Sequence, residues 1–326
     1  MLDMPLQVGI GGNGKVARGV EFQVTHADGM ELAWRHGPDD VESHLKSDPI
    51  DVFVEACGNV HDGAECSLLA IENHAHVVLT DARVDVAYGL PIQTEAHQNG
   101  IVVTSDVGTP HGTLATMIQE AHIMGFGILQ AGQICPRSEP TQFLYEMAAL
   151  ANGFSYLPPE GGMTGSEVAT PADILTSFDP DQIGDTPQID FVRIPGAPAG
   201  LYLIVRPRHK APAEQFDHLK PANAPYYLLH RPTPLGYLET PKTILGAAAG
   251  LPVLAPGYPT CEIYALAKKD LQTSTKLENK HLKAVLAPLD SNRVPLIHAL
   301  ESAQVESEIS QDGNLTFKNT RIFTAR

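Results

Sequence analysis

A run of glycines near the N-terminus has the spacing of a nucleotide-binding turn. A short apolar strand leads into the segment Gly12–Ala17, whose sequence GNGKVA fits the pattern G-x-G-x-x-A. The first glycine permits a tight turn, the second lets backbone N–H groups approach a pyrophosphate, and the following helix directs its positive end at the phosphates. We predict a dinucleotide site here, with a purely structural turn as the alternative. Its residues are Gly12, Asn13, Gly14, Lys15 and Val16.

The end of the second predicted strand bears on the choice of coenzyme. In NAD-binding units an acidic residue about 20 positions past the glycines takes the ribose 2′-hydroxyl. Here Arg35 and His36 occupy that neighbourhood, and the first carboxylate is Asp39. A cation suits a 2′-phosphate, so we predict NADP, with NAD possible and a solvated Arg35 as the alternative. Cys57 and Gly58 follow the next predicted strand and are expected to line the same pocket.

Three polar residues later in the chain are candidates for catalysis. Hydride transfer needs a group that exchanges the hydroxyl proton and another that holds the substrate. Glu146 lies in an otherwise apolar helical segment and is either directed into a site or solvated. His230 could be the proton-transfer group, and Arg231 could hold the carboxylate or phosphate of a small anionic substrate. The alternative for Arg231 is a structural ion pair with Glu239.

The elements that would position these residues alternate between strand and helix through the first 130 residues. Strands are predicted at 51–55, 75–79, 100–104 and 126–130, and helices at 61–72, 90–98 and 112–124. This order is typical of an α/β, doubly wound parallel sheet of the Rossmann type. His111 opens one of these helices, where it is either a site residue or a cap. We predict a dinucleotide-binding domain over 1–130, an α+β domain over 131–255 and a small β-rich part over 256–326.

Composition narrows the classes of partner. The chain has 326 residues with a formal net charge of −16, which disfavours binding to nucleic acid or an anionic membrane. There is neither a long apolar run nor a basic, apolar leader at the start, so a cytoplasmic location is expected. The four cysteines are scattered and are predicted to be reduced, buried thiols. Asp81 and Asp85 are four apart without a third ligand, so no metal site is predicted.

Six segments resemble one known family. They are VGIGGNGKVARG (8–19), DVFVEACGNV (51–60), HVVLTDARVDVAYG (76–89), YEMAALANG (145–153), YYLLHRPTPLGYLETP (226–241) and LPVLAPGYPTCEIYALAKKDL (251–271). In this order they resemble the homoserine-dehydrogenase-like oxidoreductases that carry a C-terminal SAF-type module, in the deoxyxylulose-phosphate-reductoisomerase-like branch. The resemblance implies a Rossmann-type domain, an α+β domain for substrate and dimer contacts, a nicotinamide coenzyme and a homodimer.

The chain also departs from this family at positions that matter for catalysis. No lysine stands in the segment 131–137, where family members carry one, and His230 replaces the tyrosine of a Tyr-Arg-Pro motif. Two functions are therefore considered. The first is an NAD(P)-dependent oxidoreductase that acts on a small, polar, anionic hydroxy or oxo compound. The second is a nucleotide-binding or regulatory protein that has lost catalysis.

Overall fold

The structure is a computed structural model. It describes residues 4–136, 142–160, 162–179, 183, 185–217, 226–232, 234–258, 260–267, 282–288, 307–309 and 315–317. Within these residues the chain forms two five-stranded sheets, with helices packed on them, and two separate strand pairs.

The first sheet is parallel throughout and carries the glycine loop. Its strands have the spatial order β2-β1-β3-β4-β5. In chain order the elements are β1 (Leu6–Gly11), α1 (Lys15–His26), β2 (Met30–His36), α2 (Pro38–Ser47), β3 (Val52–Glu55), α3 (Val60–Glu72), β4 (His76–Leu79), α4 (Ala82–Asn99), β5 (Val103–Ser105) and α5 (Pro110–Ile123). Strand β3 is buried at every position, as expected for a strand with helices on both faces. The predicted doubly wound fold is confirmed.

The second sheet is mixed, with the order β10-β9-β6-β8-β7. Its elements are β6 (Phe126–Cys135), α6 (Gln142–Phe154), β7 (Ser166–Glu167), β8 (Gln188–Arg193), β9 (Gly200–Pro207), α7 (Lys210–Gln215) and β10 (Tyr227–Pro232). The remaining elements are α8 (Thr240–Ala248) and the pairs β11 (Cys261–Ala267) with β12 (Leu282–Pro288) and β13 (Ser307–Ile309) with β14 (Leu315–Phe317). Most of the predicted SAF-type part, 256–326, lies outside the described residues.

The chain passes between the two sheets at places that differ from the predicted boundaries. The segment 126–130 was expected to close the first sheet, but it begins β6, which pairs with β8 and β9 of the second. Helix α8 was assigned to the second domain, yet Ile244 and Ala247 pack into the same core cluster as Val8 and Ile10 of β1. Helix periodicity shows that α8 has an apolar face, but it does not show which sheet that face covers.

Polar contacts also join the segment after the second sheet to the end of β5. The hydroxyl of Thr104 accepts hydrogen bonds from the backbone N–H groups of Val253 and Leu254, at 2.8 and 3.1 Å. The backbone N–H of Ser105 donates to the carbonyl of Leu254 at 2.8 Å. The chain therefore returns to the first sheet after β10 and fixes the loop that follows β5.

Candidate active site

The glycine loop has the shape that its sequence predicts. Gly12 has a φ of +137°, a backbone conformation that residues with a side chain rarely adopt. A Cβ at this position would also come within 2.0 Å of the Ala56 carbonyl oxygen. Gly14 differs, because a Cβ built there would meet no atom within 4 Å. The loop is therefore closed on the side of β3 and open above Gly14, where the sequence places a pyrophosphate.

The start of helix α1 leaves its backbone donors available. Gly14 is the N-cap residue, no side chain caps the helix, and the first turn carries no acidic residue. By contrast, Asn59, Asp81 and Thr109 cap helices α3, α4 and α5 with side-chain oxygens. Uncapped N–H groups and the positive end of the helix dipole favour an anion at α1.

Arg35 lies against this loop. Its Nη1 donates to the Asn13 side-chain oxygen at 2.9 Å and to the Gly12 carbonyl at 3.4 Å. Its Nε forms an ion pair with the Glu21 carboxylate at 2.7 Å. The end of β2 therefore brings a guanidinium to the glycine loop, with a partner in Glu21 that the sequence analysis did not identify. The role of Arg35 in coenzyme binding stays a prediction.

The turn between β4 and α4 carries a charged pair at the carboxyl end of the sheet. Asp81 caps α4 and binds Arg83 through both carboxylate oxygens, including contacts of 2.9 and 3.0 Å to Nε. Arg83 Nη2 also donates to the Gly58 carbonyl at 3.2 Å. Arg83 keeps 27% of its side chain exposed, whereas Asp81 keeps 11%. The pair thus connects the ends of β3 and β4, where ligands bind in open α/β sheets.

Glu146 lies on α6, which packs against α4, the helix that begins at this turn. It is half-buried, and its Oε2 accepts a hydrogen bond from Gln133 Nε2 of β6 at 2.9 Å. Burial raises the pKa of Glu146 to about 7, the Gln133 hydrogen bond opposes this, and the charge of Asp81 adds to it. Burial also raises the pKa of the neighbouring Tyr145 to about 12, although the Arg83 charge acts against it. Two residues of the second sheet's helix therefore lie within electrostatic reach of the β4–α4 turn.

His111 occupies the first turn of α5, near the same turn. It is 1% exposed, and burial lowers its pKa to about 4 although the charge of Asp81 acts in the opposite direction. The Thr109 hydroxyl donates to the Asp106 carbonyl at 2.6 Å and also lies 3.4 Å from His111 Nε2. The lowered pKa makes His111 a neutral imidazole at neutral pH, and its Nδ1 has no hydrogen-bond partner among the described residues.

Glu55 and Cys57 lie at the end of β3, beneath the glycine loop. Glu55 is fully buried and accepts a hydrogen bond from the Cys57 backbone N–H at 3.0 Å. Burial raises the pKa of Glu55 to about 8, with a further contribution from the Asp81 charge. A Cβ at Gly63 would come within 2.7 Å of the Glu55 carboxyl, so α3 can lie on this group only with glycine there. The role of Cys57 in lining the nucleotide pocket stays a prediction.

The structure does not bring His230 and Arg231 into contact with Glu146. His230 is exposed on β10, which is at the edge of the second sheet. Arg231 forms the ion pair with Glu239 that the sequence analysis gave as its structural alternative, with Nη2 at 3.8 Å from Oε1. Glu239 is buried and also pairs with Lys242 at 2.9 Å. The catalytic roles of His230 and Arg231 stay predictions.

Sequence analysis missed the Asp81–Arg83 pair as a candidate site and gave Tyr145 no role. The sequence feature that could have identified the pair is its position, since Asp81 follows a predicted strand of the parallel sheet. The carboxyl ends of such strands meet at one side of the sheet.

Among the described residues, no group of three or more histidine, cysteine or carboxylate side chains could hold a metal ion. Nor does any helix in that same part of the chain have the length and apolar character to cross a membrane.

Comparison with known families gives one match. Residues 113–240 match the model of the catalytic domain of the oxidoreductase DRL. The matched segment begins in α5 and contains Glu146, His230 and Arg231, but it is less than half of the chain. The match confirms the prediction that the protein is an oxidoreductase. No curated protein matches the sequence.

Solved structures of other oxidoreductases are similar at low identity. Dihydrodipicolinate reductase from Paenisporosarcina sp. TG-14, bound to dipicolinate, is 13% identical with a TM-score of 0.44, covering 78% of this chain and 97% of that one. Apo scyllo-inositol dehydrogenase from Lactobacillus casei is 10% identical with a TM-score of 0.45, covering 78% of this chain and 91% of that one. These are distant likenesses, and the assignments below depend on the site itself.

Proposed function

We propose that the protein is an NAD(P)-dependent oxidoreductase that transfers a hydride to or from a small, polar, anionic hydroxy or oxo compound. The observation that carries this proposal is Glu146. It is a half-buried carboxyl group with a pKa raised to about 7, beside the turn at the end of β4. A general acid–base group works best when its pKa lies near the working pH, and this group can hold a proton or release it there.

The residues present fit a dinucleotide. The space above Gly14 and the uncapped start of α1 suit the pyrophosphate, so Gly12, Asn13, Gly14, Lys15 and Val16 would hold it. Cys57 and Gly58 would line the same pocket. When bound, the coenzyme supplies the hydride acceptor or donor. The chain itself supplies Glu146 to exchange the substrate's hydroxyl proton.

We assign NADP as the preferred coenzyme on the position of Arg35, while NAD remains the alternative. Its guanidinium already lies against the glycine loop, and a 2′-phosphate would compete with Glu21 for it. Arg35→Asp should reverse the preference by repelling the phosphate and accepting a 2′-hydroxyl. Glu21→Gln is the matched variant and should increase NADPH affinity, since it removes the negative charge that competes with the 2′-phosphate for the Arg35 guanidinium. Tighter binding of NAD than of NADP by both the wild type and Arg35→Asp would contradict this assignment.

The substrate is proposed to be anionic because two guanidinium groups are partly exposed. Arg83, at the turn between β4 and α4, keeps 27% of its side chain exposed, and Arg231 on β10 keeps 38% although it faces Glu239. Either could form a charge-assisted pair with a carboxylate or phosphate. His230 is retained as a second candidate for proton transfer. A homodimer in the cytoplasm is proposed from the family resemblance and the composition alone.

A non-catalytic nucleotide-binding protein is the second candidate. The absence of a lysine in 131–137 favours it, since members of the family that the chain resembles carry one there. The two functions are separated by measuring absorbance at roughly 340 nm, the nicotinamide band, during a screen of small hydroxy and oxo acids. An oxidoreductase should show a substrate-dependent change that Glu146→Gln greatly reduces while NADPH still binds. Binding of NADPH without turnover of any compound would favour the non-catalytic function.

A further inference from the structure

One row of residues crosses the second sheet and ends at Arg231. Gln133 of β6 pairs with Leu201 of β9, and Leu201 pairs with Arg231 of β10. Residues directly opposite each other on antiparallel strands carry their side chains on the same face of the sheet. Leu201 packs into the core cluster that contains apolar residues of α6, and Gln133 binds Glu146 of that helix. Arg231 therefore lies on the face that α6 covers, two strands or roughly 10 Å from Gln133.

His230 lies on the other face of the same strand. It pairs with Tyr202 of β9, which packs with Ile204 into a separate core cluster. Successive side chains of a strand alternate between its two faces, so His230 and Arg231 point in opposite directions. Of the two candidates on β10, Arg231 is therefore the one that shares a face with Glu146.

Arg231 meets a second cation at Glu239. The Lys242 Nζ donates to Glu239 Oε1 at 2.9 Å, and Arg231 Nη2 lies 3.8 Å from the same oxygen. At that distance the Arg231 contact is an ion pair and not a hydrogen bond, so it leaves N–H donors of the guanidinium available. Glu239 keeps 5% of its side chain exposed, whereas Arg231 keeps 38% and Lys242 keeps 71%. The carboxylate therefore lies on the inner side of this cluster and the two cations on the outer side.

The cluster lies at the edge of the first sheet where the coenzyme is proposed to bind. Thr240, which follows Glu239 in the chain, donates to the Asp106 carboxylate at 2.8 Å. The Gly236 N–H donates to the Gly108 carbonyl at 3.1 Å. Both acceptors belong to the loop after β5, and ligands of open α/β sheets bind at the carboxyl ends of the strands. The end of β10 and the start of α8 thus hold the two cations at this edge.

We propose that Arg231 and Lys242 together bind one oxoanion of the substrate, a carboxylate or a phosphate group, while Glu146 exchanges the proton of its hydroxyl group. This inference rests on the proposed oxidoreductase function and adds Lys242 as a binding residue. One oxoanion can span the two cations, because both reach a single oxygen of Glu239 and an oxoanion presents two or three oxygens. Since the cations outnumber the carboxylate and lie on its exposed side, an approaching anion meets positive charge first.

The binding test needs no turnover. The full chain is labelled with ¹³C in its lysine side chains, and the Cε–Hε signal of Lys242 is assigned by its absence from Lys242→Met. Malonate and inorganic phosphate are titrated in separate experiments at low ionic strength. We expect the Lys242 signal to shift on a saturable curve, and the tighter of the two anions shows whether the site takes a carboxylate or a phosphate. In Arg231→Met the apparent affinity should fall by roughly tenfold or more.

Two matched variants control for the loss of a positive charge. Lys46→Met removes another exposed lysine that pairs with a carboxylate on its own helix, that of Glu42 in α2. Arg206→Met removes an exposed arginine of β9, at the opposite end of the strand from Leu201. Both variants should leave the affinity that the Lys242 signal reports within about twofold of the wild type, because distant surface charges are screened.

Turnover separates the anion site from the proton-transfer group. With a compound that the absorbance screen identifies, Lys242→Met and Arg231→Met should raise KM by roughly tenfold or more and change kcat by less than about threefold. Glu146→Gln should instead lower kcat. Anion binding at Lys242 without turnover of any compound would contradict the oxidoreductase function and still support the anion site.

Three results would overturn the proposal. One is a Lys242 signal that shifts with neither anion up to about 10 mM, which is above the usual range of KM values. Another is an unchanged titration curve in Arg231→Met, which would show that the anion binds without the guanidinium. The third is a KM of Lys242→Met equal to that of the wild type. If Arg231→Met does not fold, Arg231→Gln replaces it.

Discussion

At the scale of single residues, the candidate site depends on buried groups whose ionisation the surroundings control. Glu146, Asp85 and Glu55 have pKa values raised to between about 7 and about 8, and His111 has one lowered to about 4. Burial is the largest cause in each, because removing a charge from water disfavours the charged form. Groups with pKa values shifted by burial occur both at active sites and in structural cores. The position of each group in the structure therefore decides which of these two roles we assign to it. Glu146 is half-buried beside other polar side chains, whereas Asp85 is enclosed between α4 and β5.

Glu146 should titrate near neutral pH. We expect carboxyl infrared difference spectra with isotope-labelled glutamate to show a group with a midpoint near pH 7, besides the Glu55 group at about pH 8. The band should be absent from Glu146→Gln, and Asp81→Asn should shift its midpoint downwards, since the neighbouring negative charge is removed. A midpoint below about pH 5, within the usual range of glutamate, would contradict the role of Glu146 as a neutral-pH acid–base group.

Asp85 should reduce stability at high pH. Its carboxyl is 3% exposed, accepts a bond from Ser105 Oγ at 3.1 Å, and has its pKa raised to about 7 by burial. A raised carboxyl pKa means that the full stability is present at low pH and is lost as pH rises through the folded-state value. Asp85→Asn cannot ionise, so it should be more stable than the wild type by about 2–4 kcal/mol at pH 8 and nearly equal to it at pH 4.

Urea denaturation at the two pH values checks this prediction. The matched control is Asp28→Asn, since Asp28 is exposed in the turn before β2. It should change the free energy of unfolding by less than about 0.5 kcal/mol at either pH. An Asp85→Asn variant that is less stable than the wild type at the higher pH would show that the ionised carboxylate is stabilising.

At the scale of elements, the loop after β5 is held by helix α8, more than 130 residues later in the chain. Thr243 Oγ1 donates to Asp106 Oδ1 at 2.6 Å and accepts from the Val107 backbone N–H at 3.0 Å. Thr240 donates to the other Asp106 oxygen at 2.8 Å. These bonds, together with the apolar face of α8 on β1, make α8 part of the nucleotide-binding half.

Thr243→Val should therefore be costly although the two side chains have nearly the same shape. It leaves a buried carboxyl oxygen and a backbone N–H without a partner, and the free energy of unfolding should fall by about 2–4 kcal/mol. Urea denaturation measures this. Thr94→Val, at an exposed position of α4, is the control and should change stability by less than about 0.5 kcal/mol. An equal, small effect of both substitutions would show that the bonds to Asp106 and Val107 do not anchor α8.

The elements also show how far the sequence could predict this molecule. Strands β1 to β5 and helices α1, α3 and α5 could be predicted. The spacing of apolar residues within each element and the glycines near its ends are local signals. Helix α2 was missed, since the polar sequence of Pro38–Ser47 gives only Val41 and Leu45 as buried positions. Strand β8 was missed too, in a segment where Pro187 comes just before the strand and Pro195 soon after it. The sequence did not show on which sheet β6 and α8 lie, because this depends on contacts between distant segments of the chain.

The candidate site shows the same difference between local signals, which the sequence contains, and contacts that only the fold creates. The glycine loop and Arg35 were predictable, because a motif and a strand end fix them locally. Glu146 could be identified from the sequence, but its neighbours could not. Gln133 lies on β6, and Asp81 lies at the start of α4, beside the first sheet. The long Arg231–Glu239 pair is likewise a product of the fold.

At the scale of the whole molecule, the two halves meet where α6 packs against α4 and α5. The first supplies the nucleotide loop and the Asp81–Arg83 pair, and the second supplies Gln133 and Glu146. The net charge of −16 acts at a distance and is screened by salt, so local donors decide whether an anion binds. The account therefore requires that a dinucleotide binds on the open side of Gly14.

Calorimetric titration of NADPH into the wild type and Gly14→Val tests this requirement most directly. A Cβ at Gly14 meets no protein atom, so the variant should fold like the wild type, as circular dichroism and urea denaturation would show. Its branched side chain would occupy the space above the loop, and NADPH affinity should fall by at least roughly a hundredfold. Equal NADPH affinity in a folded Gly14→Val protein would contradict the assignment of the nucleotide site.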